Sequence, residues 1–250
     1  MFLKTANFYD ALYRFKDYEG AVSTLHAIIQ QEKPGAETLL DVGCGTGKHL
    51  EYLSRHYTAS GSDLNGELLA IARSRCPGVP LYEGDMVDVT IPGSFDCVTC
   101  LFSAIAYVQT VDRMRAAIAN MARHLAPGGV LVVEPWFTPE RLWTGHITSN
   151  HVDEPDLKIA WMYTTVLEDR VSVLDINYLV GTPHSVDHFK ERHELGVFTD
   201  DEYQDAFRAC GLTVRHDPVG LFNRGLYIGT LPPALDVDAS ARDSLAGTGT

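Results

Sequence analysis

The chain has 250 residues, 45% of them hydrophobic and 21% charged, which is enough to bury a large core in one globular domain. Its formal net charge of -13 argues against a nucleic-acid partner, because neutralising a phosphate backbone requires clustered lysines and arginines. The first residues lack a basic segment followed by an apolar one, and no run approaches the roughly 18 apolar residues of a membrane span. We therefore expect a cytoplasmic protein that does not bind a membrane.

Strand and helix patterns alternate through the first half of the chain. Short apolar runs predict five strands, at residues 38–42, 58–63, 79–83, 95–102 and 129–134. Amphipathic spacing predicts four helices, at residues 21–31, 48–57, 67–75 and 112–125. This alternation predicts an α/β fold with a Rossmann-like, mostly parallel sheet and helices on both of its faces.

The pattern changes after residue 136. Three longer strands, separated by turn residues, are predicted at residues 158–168, 171–180 and 187–195. They predict an inserted antiparallel β layer, and such a layer commonly covers a substrate. A helix with Thr199 as its N-cap and Glu202 three residues later, and a strand at 226–230, then return to the α/β pattern.

These patterns divide the chain into three parts. We expect the main domain to comprise residues 1–137 and 196–232, and the inserted subdomain to comprise residues 138–195. Residues 233–250 contain few apolar side chains, so we expect a disordered tail. The five cysteines are scattered, which predicts free thiols, and the CxxC of Cys97 and Cys100 falls in an apolar run typical of a buried strand.

A glycine-rich loop, Asp41-Val42-Gly43-Cys44-Gly45-Thr46-Gly47, follows the first strand. Its missing side chains allow a ligand to lie against the backbone at the carboxyl edge of the sheet. Asp63 ends the second strand about twenty residues downstream, where a carboxylate can accept both ribose hydroxyls. Asp85 and Met86 follow the third strand, where an acid can accept the adenine amino group. The alternative is that the glycines only form a tight turn and that Asp63 caps a helix.

The loop resembles motif I of class I S-adenosylmethionine-dependent methyltransferases, and this resemblance covers roughly residues 38–134. It implies S-adenosyl-L-methionine as the cofactor. In the same family, residues that match Tyr9 and Lys16 fold over the cofactor. The implied cofactor-binding residues are Tyr9, Lys16, Asp41, Gly43, Gly45, Asp63, Leu64, Asp85, Met86 and Phe102.

A narrower resemblance extends over nearly the whole chain before the tail. Several short segments occur in one order, at residues 7–10, 16–18, 84–86, 101–107, 133–140, 195–199 and 224–226. Together they resemble the N,N-dimethyltransferases that finish nucleotide-linked amino sugars, such as desosamine and mycaminose, in antibiotic biosynthesis. The resemblance implies that the substrate is a TDP-linked 3-amino or 4-amino deoxysugar, methylated twice at nitrogen without a metal.

The resemblance also implies roles for residues outside the cofactor site. Tyr107 occupies a position where the family has tyrosine or histidine beside the amine. Because a tyrosine pKa near 10 makes a poor base at neutral pH, we expect it to orient the amine rather than deprotonate it; the alternative is an aromatic that closes the core. Arg224 is the candidate for the diphosphate, since a guanidinium matches phosphate oxygens. The implied substrate-binding residues are Trp136, Tyr178, His193 and Arg224.

Two positions depart from the family pattern. The family has a tyrosine about eight residues before Tyr9, where this chain has Met1 beside Phe2. It also has Ser-Gly-Arg-Gly where this chain has Phe222-Asn223-Arg224-Gly225. We expect either a shortened covering segment or a different hold on the amine, and a changed reach of Arg224.

The sequence is also compatible with other functions. The chain could methylate an O, C or N atom of another small metabolite, or bind S-adenosylmethionine without catalysis. Nucleic-acid methylation is disfavoured by the acidic balance and by the absence of an N-P-P-Y or D-P-P-Y run after the fourth strand. A metal site at His184, His188 and His193 lacks strict ligand spacing. A homodimer through the inserted strands is a further expectation.

Overall fold

The computed structural model describes residue 5 and residues 8–233. Helices α1 (Tyr9–Leu12) and α2 (Tyr18–Glu32) precede the alternating region. That region comprises β1 (Thr38–Val42), α3 (Lys48–Leu53), β2 (Thr58–Asp63), α4 (Gly66–Arg75), β3 (Leu81–Glu83), β4 (Phe95–Cys100), α5 (Val111–Arg123) and β5 (Leu125–Val133). The later elements are β6 (Ile147–Glu154), β7 (Leu157–Glu168), β8 (Val171–Gly181), β9 (Val186–Gly196), α6 (Asp200–Ala209), β10 (Thr213–Asp217) and β11 (Leu226–Thr230).

The main sheet has seven strands in the order β10-β11-β5-β4-β1-β2-β3. Strands β1 to β5 are parallel to one another, whereas β11 pairs antiparallel with β5 and β10 pairs antiparallel with β11. This confirms the predicted Rossmann-like sheet. The sequence analysis did not predict β10, a five-residue strand at the edge of the sheet with no fully buried side chain.

Helices cover both faces of this sheet because the side chains of β1 alternate between two apolar cores. Leu40 packs with residues of α5 and α6, while Leu39 packs with residues of α2. On the first side the helices contribute Met114, Ile118 and Phe207. On the second side α2 contributes Val22, Leu25 and Ile29. The carboxyl edge of the sheet is therefore held between two packed layers.

The second sheet is antiparallel, in the order β6-β7-β8-β9. Strands β7, β8 and β9 match the three predicted strands to within one residue at each end. Strand β6 was not predicted, because its polar sequence lies at the sheet edge and shows no apolar alternation. One face of the sheet packs against the main domain through Ile176 and Tyr178, which share an apolar core with Leu12 of α1.

Several predicted ends are wrong: α2 begins at Tyr18 and not at residue 21, β3 begins at Leu81 and not at residue 79, and β5 begins at Leu125 and not at residue 129. The helix predicted to reach residue 57 ends at Leu53, and the fourth strand ends at Cys100 because Phe102 and Ser103 adopt left-handed backbone angles. The predicted cap of α6 is confirmed, since Thr199 and Glu202 form a reciprocal capping box. Cys97 and Cys100 are buried in β4, and all five thiols are free.

Some expectations fall outside the described residues. They concern the departure at Met1 and Phe2, the first residue of the 7–10 segment, and the tail from residue 234 onward. The division into a main domain and an inserted subdomain stays a prediction. Among the helices that the structure describes, none is long and apolar enough to span a membrane.

Candidate active site

A cavity of about 610 Å³ lies where the carboxyl ends of β1, β2 and β4 face the second sheet. Its volume is in the usual range for small-molecule sites. Every residue that the sequence analysis assigned to cofactor, substrate or catalysis lines it: Tyr9, Lys16, Asp41, Gly43, Gly45, Asp63, Leu64, Asp85, Met86, Phe102, Tyr107, Trp136, Tyr178, His193 and Arg224.

The glycine loop makes a close backbone turn at the end of β1. Gly43 has a φ of 73°, and a Cβ there would lie 2.6 Å from the Cβ of Ala104. The amides of Gly43 and Cys44 both donate to the carbonyl of Ser62, at 2.7 and 2.9 Å. Because the turn leaves no room for a side chain at residue 43, a ligand can reach the backbone of the loop.

Asp63 connects the glycine loop to the end of β2. Its Oδ2 accepts the amide of Gly45 and its Oδ1 accepts the amide of Asn65, both at 2.8 Å. Asn65, not Asp63, is the N-cap of α4, which removes the helix-cap alternative. A carboxylate has about four acceptor positions; backbone groups of Gly45, Asn65 and Leu64 use three, which leaves one for a ribose hydroxyl. The loop and this carboxylate form one rigid cradle.

Two carboxylates give the cradle a negative potential. Asp41 is buried and accepts a hydrogen bond from the hydroxyl of Thr99 at 2.8 Å. Burial raises the pKa of Asp41 to about 7, and the nearby charge of Asp63 adds to that rise. Burial also raises the pKa of Asp63. Since like charges in a desolvated site favour a cation, this end of the cavity suits a ligand with a positive centre.

Asp85, which we predicted to contact the adenine, also binds two groups of the protein. Its Oδ1 accepts the amide of Val87 at 3.1 Å, and its Oδ2 pairs with Arg113 at 2.6 Å. Asn120 fixes the same turn by donating to the carbonyl of Met86 at 3.1 Å. Sequence analysis did not predict the contact of Arg113 with Asp85, because it joins α5 to the loop after β3.

Helix α1 is tied to the cradle and to the second sheet. Arg75 pairs with Asp10 of α1 and donates to the carbonyl of Thr46 in the glycine loop. The next turn of the chain is joined to β6 by an ion pair between Arg14 and Glu154. These contacts hold Tyr9 over the cavity, where the sequence predicted a covering residue.

Cations and aromatic rings form one cluster in the wall of the cavity. Lys16 Nζ lies 3.8 Å from the ring centre of Phe102 and 4.1 Å from that of Phe222. The Arg224 guanidinium lies 4.8 Å from Phe102 and 5.2 Å from Trp136. Burial, with a smaller contribution from Arg224, lowers the pKa of Lys16 to about 7. The cluster therefore carries one permanent and one titratable positive charge.

Replacing Lys16 with methionine is expected to raise the thermal unfolding midpoint of the ligand-free protein near neutral pH, because it removes a desolvated ammonium. The pKa of Lys16 is lowered from 10.5 to about 7 by folding, so the folded state binds fewer protons between these values. The cost of Lys16 is therefore full below about pH 7 and disappears toward pH 10.5.

Scanning calorimetry of both proteins between neutral and alkaline pH checks this prediction. The gap between their midpoints should narrow as the pH rises, whereas Lys190→Met on the exposed face of β9 should show no such trend. A Lys16→Met gap that is independent of pH would contradict it.

A strained turn after β4 holds the cluster in place. Phe102 and Ser103 have φ angles of 53° and 61°, which cost about 1–3 kcal/mol each for residues with a side chain. The amide of Phe102 donates to buried Glu134 at 2.6 Å, and the Ser103 hydroxyl donates to a backbone carbonyl. Arg224 donates to the Ser103 oxygen at 3.2 Å. The turn therefore fixes the Phe102 ring and the guanidinium together.

Tyr107 lines the cavity and faces β9 of the second sheet. Its hydroxyl forms a 2.9 Å hydrogen bond with Nδ1 of His193 on β9. Burial raises the pKa of Tyr107 well above its usual value, so the phenol keeps its proton. Tyr178 lies on the same inner face and stacks on Phe189, with ring centres 5.2 Å apart. A hydroxyl on the cavity wall fits the predicted contact with an amine.

Side chains of the inserted strands alternate between a buried and an exposed face. His188 lies on the exposed face of β9, and His193 lies on the buried face. Trp161 and Tyr163 also line the cavity, and their spacing on β7 contained the signal that the sequence analysis did not use. Thr148, Ser149 and Asn150 were missed because β6 was not predicted.

Comparison with known proteins gives consistent matches. Residues 39–129 match a family described as a methyltransferase domain. A dTDP-3-amino-3,6-dideoxy-alpha-D-glucopyranose N,N-dimethyltransferase from Streptomyces fradiae is 36% identical over 233 residues, 92% of this chain and 91% of the relative. A dTDP-4-amino-2,3,4,6-tetradeoxy-D-glucose N,N-dimethyltransferase from Saccharopolyspora spinosa is 37% identical over 227 residues, 90% of this chain and 91% of the relative.

A solved structure resembles this chain over nearly its whole length. It is S-adenosylmethionine-bound CalS10, an amino pentose methyltransferase from Micromonospora echinaspora involved in calicheamicin biosynthesis. The two chains are 38% identical, the TM-score is 0.83, and the alignment covers 92% of this chain and 97% of CalS10. The fold is therefore shared with a protein whose structure contains bound S-adenosylmethionine.

Proposed function

Because this chain belongs to the family of dTDP-amino-deoxysugar N,N-dimethyltransferases, we propose that it dimethylates the amino group of a TDP-linked amino deoxysugar. It is an S-adenosylmethionine-dependent methyltransferase. The two relatives described above act on a 3-amino and a 4-amino sugar at nearly equal identity to this chain, so the proposal covers both positions of the amine.

One observation carries the proposal. A single cavity is lined both by the carboxylate cradle of Asp41 and Asp63 and by the cationic cluster of Lys16 and Arg224. The cradle suits a cationic nucleoside, and the cluster suits a polyanion. Tyr107 lines the same cavity, which suits a role beside the acceptor atom of the second ligand.

The cationic cluster has a second hydrogen-bond donor beside Arg224. The indole Nε1 of Trp136 is buried and has no hydrogen-bond partner among the described residues. A buried N–H without a partner is costly, so a bound acceptor would remove that cost. With the guanidinium 5.2 Å from the Trp136 ring, the two donors can hold adjacent oxygens of one diphosphate.

The proposed mechanism depends mainly on alignment. Bound S-adenosylmethionine supplies a methyl group activated by a sulfonium. Asp63 and the glycine loop fix the ribose, and Asp85 accepts from the adenine. Arg224 and Trp136 hold the diphosphate, so the sugar amine is placed with its lone pair in line with the methyl carbon. Tyr107 accepts a hydrogen bond from the amine, and α1 excludes water from the site.

Calorimetric titration of TDP into the protein saturated with S-adenosylhomocysteine tests the substrate class. We expect one TDP to bind per chain, with thymidine binding at least about tenfold more weakly because it lacks the diphosphate. Equal binding of TDP and thymidine, or no binding of TDP, would remove the sugar-nucleotide assignment.

The proposal includes the setting in which the enzyme works. We propose a cytoplasmic homodimer that does not bind nucleic acid, supported by the free thiols and the net charge of -13. The outer face of the second sheet exposes the apolar side chains of Met162, Val166 and Leu179, which a second copy would cover. Light scattering should give the mass of two chains, and a monomeric mass would contradict the dimer.

A further inference from the structure

A chain of three polar groups leads from the cavity into the protein. The Tyr107 hydroxyl lies 2.9 Å from Nδ1 of His193, and Nε2 of His193 lies 3.7 Å from Oε2 of Glu191. His193 and Glu191 are only 3% and 5% exposed. Glu191 also accepts hydrogen bonds from the amide and the hydroxyl of Thr5. A buried carboxylate behind an imidazole is the arrangement that fixes the orientation and tautomer of a histidine.

The proposed reaction creates a need for such a chain. An aliphatic amine is mostly protonated near neutral pH, and only its neutral form can attack the methyl carbon. The first transfer leaves a secondary ammonium, which must lose a proton before the second transfer. Tyr107 alone cannot store that proton, because burial raises its pKa and keeps the phenol neutral.

We propose that Glu191, His193 and Tyr107 form a proton relay that removes the proton from the sugar ammonium before each methyl transfer. The inference rests on the proposed function. The N–H bond of the ammonium breaks as its proton passes to the Tyr107 oxygen, while the phenol's own proton passes to Nδ1 of His193. The amine is then neutral, the phenol is regenerated, and the imidazolium is stabilised by Glu191. The imidazolium returns its proton to water when the site opens.

The geometry sets the tautomer that the relay needs. A neutral His193 carries its proton on Nε2, on the side of Glu191, which leaves Nδ1 as the acceptor for Tyr107. In the opposite tautomer, with the proton on Nδ1, His193 would donate to the Tyr107 oxygen instead.

Other titratable groups near the relay are few and can be separated from it. Tyr13, Tyr178 and Asp63 face Tyr107, and burial raises the pKa of each. Arg192 points to the opposite face of β9 and pairs with Glu168, Asp175 and Glu194. His49 is the other imidazole among the described residues that line the cavity, and burial lowers its pKa to about 3.

Glutamine variants of His193 and Glu191 test the relay. Glutamine at 193 can still accept a hydrogen bond from Tyr107 but cannot carry the proton. We expect the kcat of His193→Gln to fall about tenfold or more near neutral pH, with both KM values changed by less than about twofold. The loss should shrink at alkaline pH, where solvent hydroxide deprotonates the amine. Monomethyl sugar should accumulate.

The matched control is His188→Gln, which changes the exposed face of the same strand and should leave kcat and its pH profile unchanged. A purely structural role for His193 would lower kcat equally at every pH or raise KM. Either of these outcomes, or a wild-type pH profile for His193→Gln, overturns the relay. If His193→Gln does not fold, Glu191→Gln gives the same decision, because it leaves the imidazole in place and removes the charge behind it.

The wild-type assay separates the two levels of inference. Wild-type enzyme that methylates no TDP-amino sugar overturns the proposed function and the relay together. Wild-type activity with unchanged variants overturns the relay alone.

Discussion

Replacing Asp63 with asparagine is expected to weaken S-adenosylmethionine binding by about a hundredfold. A hydrogen bond to a charged acceptor contributes about 1.5–3 kcal/mol, and the carboxylate keeps one acceptor position for a ribose hydroxyl. Asparagine keeps the shape but turns one acceptor into a donor, which must face the amide of either Gly45 or Asn65. Calorimetric titration of S-adenosylmethionine measures the change.

Asp96→Asn is the matched control for this substitution. Asp96 also accepts backbone amides, from Glu37 and Thr38, each at 3.0 Å, but it lies at the amino end of β4, on the opposite edge of the sheet. Asp96→Asn should lower the unfolding midpoint while leaving cofactor affinity within about twofold. Equal affinity losses for both variants would show that Asp63 acts only through stability.

Replacing Arg224 with glutamine is expected to raise the KM for a TDP-amino sugar by about thirty- to a hundredfold. The substitution removes a positive charge and a bidentate hydrogen-bond donor from a half-buried site, where a charge-assisted hydrogen bond is strong. Affinity for S-adenosylmethionine should change by less than about twofold, because Arg224 is assigned to the diphosphate of the sugar nucleotide and not to the cofactor. Steady-state kinetics with each substrate varied in turn measures both quantities.

Arg141→Gln is the control for the loss of charge. Arg141 donates to the carbonyl of Asn223, next to Arg224 in the chain, but does not line the cavity among the described residues. Its KM values should stay close to those of the wild type. A wild-type KM for Arg224→Gln would place the diphosphate elsewhere.

Much of the fold could be predicted because local patterns and tertiary packing agree. The runs at 38–42, 58–63 and 226–230 match observed strands residue for residue. Those at 38–42 and 226–230 are mostly apolar, and the run at 58–63 ends in a carboxylate. The missed strands, β6 and β10, are both edge strands. The side chains of β6 are mostly exposed and β10 has no fully buried side chain, so neither strand carries an apolar alternation that a sequence pattern could reveal.

The cofactor-binding residues could be predicted for a related reason. Parallel strands end at the same edge, so Asp63 and Asp85 could be placed together from strand order alone. Glu191 and Thr5 are 186 residues apart in the chain, and no local spacing relates them. The left-handed turn at Phe102 and Ser103 was also unpredictable, because Glu134 and Pro135, which bind it, lie just past the end of the neighbouring strand β5.

Mass spectrometry of TDP-3-amino and TDP-4-amino deoxysugars, incubated with the wild-type enzyme and methyl-labelled S-adenosylmethionine, tests the central claim most directly. We expect one of these sugars to gain first one and then two labelled methyl groups at nitrogen, while the same amino sugar without TDP reacts far more slowly. Transfer of no label to any TDP-amino sugar, or equal transfer to the free sugar, would contradict the account.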